Sequence, residues 1–220
     1  MTAPLASTSA PRRARSPRGQ GEQLRDEILA AAERILIETS DQSALSIRAI
    51  ATAVGVTPPS IYLHFADRND LVFAVCEKHA ELLEEAMAEA AEGIEDPWER
   101  IRRRGYAYMR WGLANPEHYR ILMMSRPDHT PDRFVDERLA DTAGLVPVAE
   151  DVAAAIASEQ VTLNDDPLEI TKTLWMMIHG LVSLVISKPD FPFGSVDVAY
   201  DRLFELVHRG LVPHSATTEP

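Results

Sequence analysis

The sequence predicts an all-α protein, and two observations carry that prediction. Apolar residues recur at three- and four-residue spacing along most of the chain, whereas the alternation typical of a strand never persists. Helix starts are also marked, because Asp96-Pro97-Trp98-Glu99 and Asp166-Pro167-Leu168-Glu169 each place aspartate at the N-cap, proline first in the helix and glutamate third. Thr57-Pro58, Asn115-Pro116 and Thr130-Pro131 repeat the arrangement of cap followed by proline. The prolines therefore separate successive helices.

The helices follow one another with short connections. The first begins where Leu24, Ile28, Ala32 and Ile35 form an apolar stripe. No repeat of fixed period is present in the sequence, so a helical solenoid is not expected. The helices are predicted over residues 21–39, 46–53, 57–63, 67–92, 97–114, 116–125, 131–142, 147–160, 167–187 and 196–210.

Charge is unevenly distributed along the chain. A net charge of −12 would repel phosphate groups from the molecule as a whole. Residues 1–75 nevertheless hold eight Lys/Arg and eight Asp/Glu, whereas residues 76–220 hold 14 Lys/Arg and 26 Asp/Glu. Arginines dominate residues 12–25, which form a cationic arm. One end of the chain can therefore meet a nucleic acid while the other carries the acidic excess.

Cysteine content and hydropathy indicate the compartment. The single cysteine, Cys76, leaves no disulfide framework and no cluster for zinc or iron–sulfur chemistry, so we expect a packed thiol and no metal or other cofactor. The N-terminus lacks the apolar core of a secretory signal, and no later run is expected to approach the ~20 apolar residues of a spanning helix. A soluble, cytoplasmic protein without a membrane partner is predicted.

Residues 46–65 carry the strongest motif, two short helices joined by a tight turn. Ser46 can cap the first helix, and Gly55 permits the left-handed backbone that the turn demands. Thr57 and Pro58 start the second helix at once. Ile61 and Phe65 then point back into the core. The residues left facing outward are Thr57, Pro59, Ser60, Tyr62 and His64.

This segment resembles the DNA-binding signature of the TetR family of bacterial transcription regulators. The resemblance is carried by Leu45-Ser-Ile-Arg-Ala-Ile-Ala-Thr-Ala-Val-Gly-Val and by Ile61-Tyr-Leu-His-Phe-Ala-Asp-Arg-Asn-Asp-Leu71, within a match over about residues 21–75. It implies that the second helix of the motif lies in the major groove. The phosphate contacts that it implies are Ser46, Arg48, Tyr62, His64 and Arg68, where Arg68 replaces the family's usual lysine.

Base contacts are expected near the N-terminus of the second helix. The candidate base readers are Thr57, Pro59 and Ser60. Because Pro58-Pro59 stands where many relatives have a polar or small residue, hydrogen-bond readout is expected to be sparse, and contact with thymine methyl groups is the alternative. The arginine-rich arm either enters an adjacent minor groove or serves only as a solubilising tail.

The second half of the chain concentrates aromatic and methionine side chains. Such residues suit an adaptable apolar cavity, although the same spacing is expected of ordinary core. His179 either touches a ligand or forms an internal hydrogen bond. Trp111 with Asn115-Pro116, and Trp175 with His179-Gly180, resemble the Trp/His-Gly type of C-terminal domain in the family. The candidate ligand contacts are Tyr108, Trp111, Tyr119, Met123, Trp175, Met176 and His179.

Two helices near the C-terminus, 167–187 and 196–210, have more apolar surface than one bundle can cover. A partner subunit would provide the cover, and Gly180 would allow close approach. This agrees with TetR relatives, in which the last two long helices of each subunit form a four-helix dimer interface.

The expected domain organisation follows from these features. It comprises a disordered arginine-rich arm (1–20), a three-helix DNA-binding domain with a helix-turn-helix (21–75), an antiparallel helical bundle for ligand sensing and dimerisation (76–210), and a disordered tail (211–220).

The resemblance implies a homodimeric repressor that binds a palindromic operator in double-stranded DNA and is released by an unidentified small apolar or aromatic effector. A regulator without ligand control, or an activator, is the alternative. An enzyme is not expected, and no catalytic residue is assigned, because the sequence lacks Gly-x-Ser-x-Gly, His-Glu-x-x-His and a phosphate-binding glycine loop.

Overall fold

The computed structural model describes residues 20–39, 45–124, 144–162 and 165–211. Every regular element within those ranges is helical, which confirms the predicted all-α class. The predicted helix over 131–142, the arm before residue 20 and the tail after residue 211 lie outside the described residues.

Most helices lie where the apolar spacing and the caps predict them. Helices α5 and α8 have the predicted bounds, and most other ends differ by at most three residues. The predicted helix over 116–125 is instead α-helical only as far as Tyr119 and then continues as a π-helical turn, Arg120–Met124. The helices are α1 (Gln20–Thr39), α2 (Ile47–Val54), α3 (Pro58–Tyr62), α4 (Arg68–Ala91), α5 (Pro97–Ala114), α6 (Pro116–Tyr119), α7 (Leu145–Ala157), α8 (Pro167–Ser187) and α9 (Val196–Leu211).

The chain divides into two compact units. The front unit contains described residues 20–39 and 45–76, and the back unit contains described residues 77–124, 144–162 and 165–211. The division between them falls inside α4. Each unit has buried apolar residues of its own.

In the front unit, α1 packs on α2 and α2 packs on α3. Ile28, Ile50, Ile61 and Phe65 are almost fully buried, so the stripe of α1 and the inward side of the two short helices share one core. The guanidinium carbon of Arg25 lies 5.2 Å from the centre of the Phe65 ring, a cation–π contact at the edge of this core.

In the back unit, α5, α7 and α8 pack against one another. The largest fully buried side chains of this core include Tyr108, Met109 and Tyr119. An ion-pair cluster joins α5 to α7, because buried Asp151 accepts hydrogen bonds from Arg100 Nε (2.6 Å) and Arg104 Nε (2.8 Å).

Helix α8 is long and apolar enough, by length and composition, to cross a bilayer. The expectation that no segment would approach that limit is therefore wrong. The same composition occurs in core helices of soluble proteins, and α8 packs on α5 and α7 through Leu174, Ile178 and Val182, which are buried. Packing inside the bundle thus explains part of the apolar surface of α8.

Candidate functional site

The turn between α2 and α3 forms as its glycine predicts. Ser46 caps α2, because its Oγ accepts a hydrogen bond from Ala49 N (3.1 Å). Gly55 ends α2 with φ +77° and ψ +31°, and its N–H donates to Ala51 O (3.0 Å). A side chain at this position would have open space around it but would strain the backbone by about 1–2 kcal/mol. The glycine therefore sets the abrupt change of direction before α3.

Thr57 and Asn115 occupy the predicted N-cap positions before proline, but neither side chain makes a cap hydrogen bond. Thr57 has the extended backbone of an N-cap, but its hydroxyl makes no cap hydrogen bond and instead lies 3.1 Å from Ser60 Oγ. Asn115 donates through Nδ2 back to Trp111 O (2.9 Å), so its side chain does not cap α6. A threonine or asparagine before proline has other hydrogen-bond partners within reach, and sequence spacing alone does not choose among them.

The aspartate caps form as predicted. Asp96 accepts from Glu99 N (2.9 Å) at the start of α5. Asp166 accepts from Leu168 N (2.8 Å) at the start of α8. A charged acceptor at a helix N-terminus is favoured both by the orphan N–H groups and by the helix dipole, so both long helices of the back unit begin at fixed positions.

One side of α3 faces away from the core of the front unit. Ile61 is completely buried, whereas Tyr62 is 55% exposed. Thr57 and Pro59 are exposed, and Ser60 and His64 are half-buried. This arrangement agrees with the inward and outward sides that the sequence predicts. It presents small, apolar and aromatic groups in place of long charged ones.

Leu63, which the sequence analysis did not select, is 82% exposed beside Tyr62. A leucine so exposed at the end of α3 adds apolar surface to the outward side of the motif. In the sequence Leu63 lies between Tyr62 and His64, which were both predicted to face outward, and this position could have identified it. Helical spacing does not apply to Leu63, because α3 ends at Tyr62.

Two hydrogen bonds to aspartate side chains hold the start of α4. Asp67 Oδ1 accepts from Asp70 N (2.8 Å), and Asp70 Oδ2 accepts from Ala66 N (2.9 Å). This arrangement resembles a capping box, except that the second carboxylate accepts from the residue before the N-cap instead of from the N-cap itself. It fixes the backbone around half-buried Arg68, the candidate phosphate contact that follows the motif. Ser46 and Arg48, the candidates around the start of α2, are exposed.

In the back unit, four of the candidate ligand contacts form one chain of hydrogen bonds. Trp175 Nε1 donates to the Tyr108 hydroxyl (3.2 Å), which lies 3.0 Å from the Tyr119 hydroxyl. Tyr119 lies 2.6 Å from Nδ1 of His179, and His179 Nε2 lies 3.2 Å from Ser183 Oγ. Of the two roles predicted for His179, the internal hydrogen bond is therefore present.

Burial around this chain keeps its members uncharged. It raises the pKa of Tyr108 and of Tyr119, and it lowers the pKa of His179. Tyr119 fits because Gly112 leaves room: a Cβ at Gly112 would lie 2.8 Å from both Tyr119 Cδ2 and Val182 Cγ1. Because α5, α6 and α8 approach one another closely at this glycine, the side chains of the hydrogen-bond chain lie within reach of one another.

Beside this hydrogen-bond chain lies a pocket that is partly open to solvent. Tyr108 and Trp175, two of the candidate ligand contacts, form part of its wall. Met177 lines it, whereas Met176 is 61% exposed on the other side of α8. Adjacent residues on a helix face different directions, and the sequence did not show which of the two methionines faces inward. Besides Met176, the candidates that lie off the described wall are Trp111, Tyr119, Met123 and His179.

Other residues on the wall were missed by the sequence analysis. Tyr200 and Phe204 of α9 line the pocket, as does Thr171 of α8. The Tyr200 hydroxyl donates to Arg102 O (2.5 Å), which ties α9 to α5. The two aromatic residues are four apart, a spacing that places them on one face of α9 and could have identified them.

The opposite faces of α8 and α9 carry exposed apolar residues. Met176 and Leu184 of α8 are 61% and 50% exposed, and Val198 and Leu206 of α9 are 56% and 60% exposed. A Cβ at Gly180 would meet nothing within 4 Å. We call Met176, Gly180, Leu184, Val198 and Leu206 the outer face.

Comparison with protein families gives two matches. Residues 28–75 match the sequence model for bacterial regulatory proteins of the tetR family. Residues 101–211, about half of the chain, match the model for the tetracyclin repressor-like C-terminal domain. The two matches lie in the order that the sequence predicts.

Solved structures show the same fold. A Rhodococcus protein of unknown function is 24% identical, with a TM-score of 0.71 over 86% of this chain and 96% of that one. A TetR family transcription regulator from Marinobacter aquaeolei is 21% identical, with a TM-score of 0.65 over 90% of this chain and 100% of that one. A TetR/AcrR family regulator from Thermobifida fusca is 24% identical, with a TM-score of 0.61 over 86% and 98%. This chain belongs to the TetR family of transcription regulators and carries that family's DNA-binding helix-turn-helix in α2 and α3.

Proposed function

We propose that the protein is a cytoplasmic homodimeric repressor that binds a palindromic operator and is released by a small apolar or aromatic molecule. The observation that carries the proposal is the outward side of α3, held by the Gly55 turn and exposed from Thr57 through Leu63 apart from buried Ile61 and half-buried Ser60. Residues 21–75 are assigned to DNA binding, and residues 76–210 to ligand sensing and dimerisation.

The DNA-binding residues divide into anchors and readers. Ser46, Arg48, Tyr62, His64 and Arg68 are the anchors, which contact phosphate. A serine hydroxyl that accepts one backbone hydrogen bond can still donate one to a phosphate oxygen, so capping by Ser46 is compatible with this role. The readers are Thr57, Pro59 and Ser60.

Thr57 and Ser60 together provide a polar contact to the bases, and Pro59 provides an apolar contact. Thr57 and Ser60 hydrogen-bond each other, and such a linked hydroxyl pair presents fewer donors to a base edge than two separate hydroxyls would. Exposed Pro59 suits contact with a thymine methyl group. The arginine-rich arm is a further candidate for minor-groove contact.

Dimerisation is proposed through the outer face of α8 and α9. Its exposed methionine, leucines and valine would lose contact with water, and Gly180 would let the partner's helix approach. In such a dimer the two copies of α3 enter major grooves about one helical turn apart, ~34–36 Å, which requires an inverted repeat.

Ligand control is proposed through the pocket of the back unit. Its wall includes Tyr108, Trp175 and Met177, which are adaptable apolar or aromatic groups. Helix α4 runs from Arg68 to Ala91 and contains the division between the units, so its orientation is the proposed lever. A ligand shifts DNA affinity only by as much as it prefers one orientation over the other.

The experiment that tests the proposal uses the purified full chain and a random duplex pool. We expect selection of an inverted repeat, two subunits per site, and affinity that falls steeply with salt. A reporter gene whose promoter overlaps the selected repeat should be expressed less when the protein is present. A strictly monomeric chain without salt-sensitive binding to any duplex would refute the proposal, while increased reporter expression would favour an activator.

Ligand control has its own test, because a regulator without it is the alternative. Compounds that raise the melting temperature of the purified protein are added to the protein–operator complex. Release of the DNA by at least one of them is expected. If every stabilising compound leaves operator affinity unchanged, the regulator without ligand control is favoured.

A further inference from the structure

We propose that the pocket of the back unit selects uncharged hydrophobic molecules and rejects carboxylates and sulfonates of the same size. The inference rests on the proposed function only in assigning the ligand to this pocket. It goes further because it names the charge state of the ligand and gives the reason.

The hydrogen-bond donors on the pocket wall are already used within the protein. Four side chains of the described wall carry N–H or O–H groups. Thr171 donates to Pro167 O (2.8 Å), and Tyr200 donates to Arg102 O. Trp175 donates to the Tyr108 oxygen, and Tyr108 in turn lies 3.0 Å from the Tyr119 oxygen. A ligand that needs a donor would therefore have to break a buried hydrogen bond.

The donors of the hydrogen-bond chain that includes Tyr108 all have acceptors inside the protein. With His179 Nδ1 unprotonated, Tyr119 donates to it (2.6 Å) and Tyr108 donates to the Tyr119 oxygen (3.0 Å); the Tyr108 hydroxyl also lies 3.3 Å from Nδ1. The Tyr108 oxygen accepts from Trp175. In this arrangement each of the three donors has one acceptor, and none is directed at the pocket.

No charged side chain belongs to the described part of the wall. Helix α5 supplies Ile101, Gly105 and Tyr108 to the wall and also carries five arginines. Each of those arginines lies within 4 Å of a carboxylate outside the wall. The pairs are Arg100 and Arg104 with Asp151, Arg102 and Arg103 with Glu99, and Arg110 with Asp197.

An anionic group buried in the pocket would therefore lose its hydration without gaining a counter-ion or a free side-chain donor from the described wall. That loss is large for a sulfonate or carboxylate in apolar surroundings, whereas an uncharged aromatic compound gains by leaving water. The wall side chains Ile101, Leu174 and Phe204 supply the apolar contact. Negative charge on the ligand is thus a property that this pocket selects against.

The test compares two fluorescent probes with the same ring skeleton. N-phenyl-1-naphthylamine is uncharged at neutral pH, and 1-anilinonaphthalene-8-sulfonate is its sulfonated counterpart. The full chain is titrated with each, and binding to the pocket is defined as the part lost in Val148→Phe, since Val148 lies on the wall. Val146→Phe is the matched control, because Val146 is on the same helix, 42% exposed and off the wall.

We expect the uncharged probe to bind wild type and Val146→Phe alike and Val148→Phe at least about tenfold more weakly, because added bulk in a packed site is poorly accommodated. The sulfonated probe should bind the pocket at least about 100-fold more weakly than the uncharged one. Circular dichroism confirms that the variants are folded. Competition between the two probes on the wild-type protein gives the same comparison without any variant.

Equal binding of both probes to the pocket, tighter binding of the sulfonate, or no saturable binding of the uncharged probe would overturn the inference. Operator affinity is measured separately with the uncharged probe present. If that probe occupies the pocket and the DNA stays bound, the inference about charge stands and the proposed ligand control is what loses support.

Discussion

The hydroxyl oxygen of Tyr119 lies 2.6 Å from Nδ1 of His179, in the interior of the back unit. Burial raises the pKa of Tyr119 and lowers the pKa of His179, so at neutral pH both groups are uncharged and a neutral hydrogen bond joins them. His179 Nε2 lies 3.2 Å from Ser183 Oγ, so each ring nitrogen has a hydroxyl partner. The tautomer of His179 therefore couples the directions of the hydrogen bonds on its two sides.

Replacing Tyr119 by phenylalanine should destabilise the protein by about 1–3 kcal/mol, because His179 Nδ1 and the Tyr108 hydroxyl lose a buried partner. Tyr106→Phe is the matched control. It removes a hydrogen bond to Asp197 (2.9 Å) near the surface and should change the stability by less than about 0.5 kcal/mol. Urea unfolding followed by circular dichroism measures both variants, and equal losses would contradict the structural weight placed on Tyr119.

Acid should destabilise the wild-type protein more than His179→Gln. Because burial lowers the pKa of His179 in the folded state, the unfolded chain binds a proton more readily as the pH falls below its usual value of about 6.5. The contribution to stability is therefore complete above that value and is lost as the pH falls towards and through the folded-state pKa. Glutamine stays neutral at every pH used.

The pH experiment measures the urea midpoint of both proteins between pH 8 and pH 5. The difference in unfolding free energy should shift against the wild type as the pH falls, by at most about 1.4 kcal/mol per pH unit for one group. All other titrating groups are common to the two proteins and cancel if the substitution is local. Parallel pH profiles would show that the folded-state pKa of His179 is not lowered.

The parts of the fold that local chemistry determines could be predicted from the sequence. Asp96 and Asp166 fix two helix starts because a carboxylate, a following proline and orphan N–H groups act within one turn. Gly55 marks the turn because few other residues adopt its backbone conformation without strain. The inward side of α3 follows from the four-residue spacing of Ile61 and Phe65.

The details of the pocket could not be predicted, because they depend on contacts between residues far apart in the chain. Tyr119 and His179 are 60 positions apart, and their spacing carries no signal that they meet. Met176 and Met177 are chemically identical, and the packing of α8 on its neighbours decides which one lines the pocket. Thr57 and Asn115 illustrate the same limit locally, since several hydrogen bonds were possible for each.

Asp151→Asn should destabilise the protein by about 3–5 kcal/mol, since Arg100 and Arg104 would lose the buried carboxylate that both contact. Asp201→Asn is the control, because Asp201 is 67% exposed on its side chain and lies 3.8 Å from Arg102. An exposed pair of this kind contributes about 0–1 kcal/mol. Thermal and urea unfolding should separate the two variants clearly, and a mild effect of Asp151→Asn would mean that the cluster is dispensable.

Substitutions on the DNA-binding motif should separate anchors from readers. Alanine at Tyr62 or His64 should weaken binding to all duplexes to a similar extent, and loss of a phosphate contact by a positively charged anchor such as Arg68 should reduce the salt slope by about one. Alanine at Thr57 or Ser60 should instead change which bases are preferred. Selection from a random pool with each variant shows the difference, and a uniform loss from both sets would contradict the assignment.

Glutamate at Leu184 and Leu206 should convert the protein to monomers, because each substitution places a charge on the outer face, where 50% and 60% of the native side chain is exposed. The fold should survive, since neither residue belongs to the buried core of the described residues. Val146→Glu is the control: it adds the same charge at a residue that is 42% exposed on α7, away from the outer face. Sedimentation velocity should show dimers for wild type and control.

Two outcomes would contradict this prediction. If the folded Leu184→Glu/Leu206→Glu protein still sediments as a dimer, the subunit interface lies elsewhere. If folded monomers bind the operator with wild-type affinity, DNA recognition does not need a dimer.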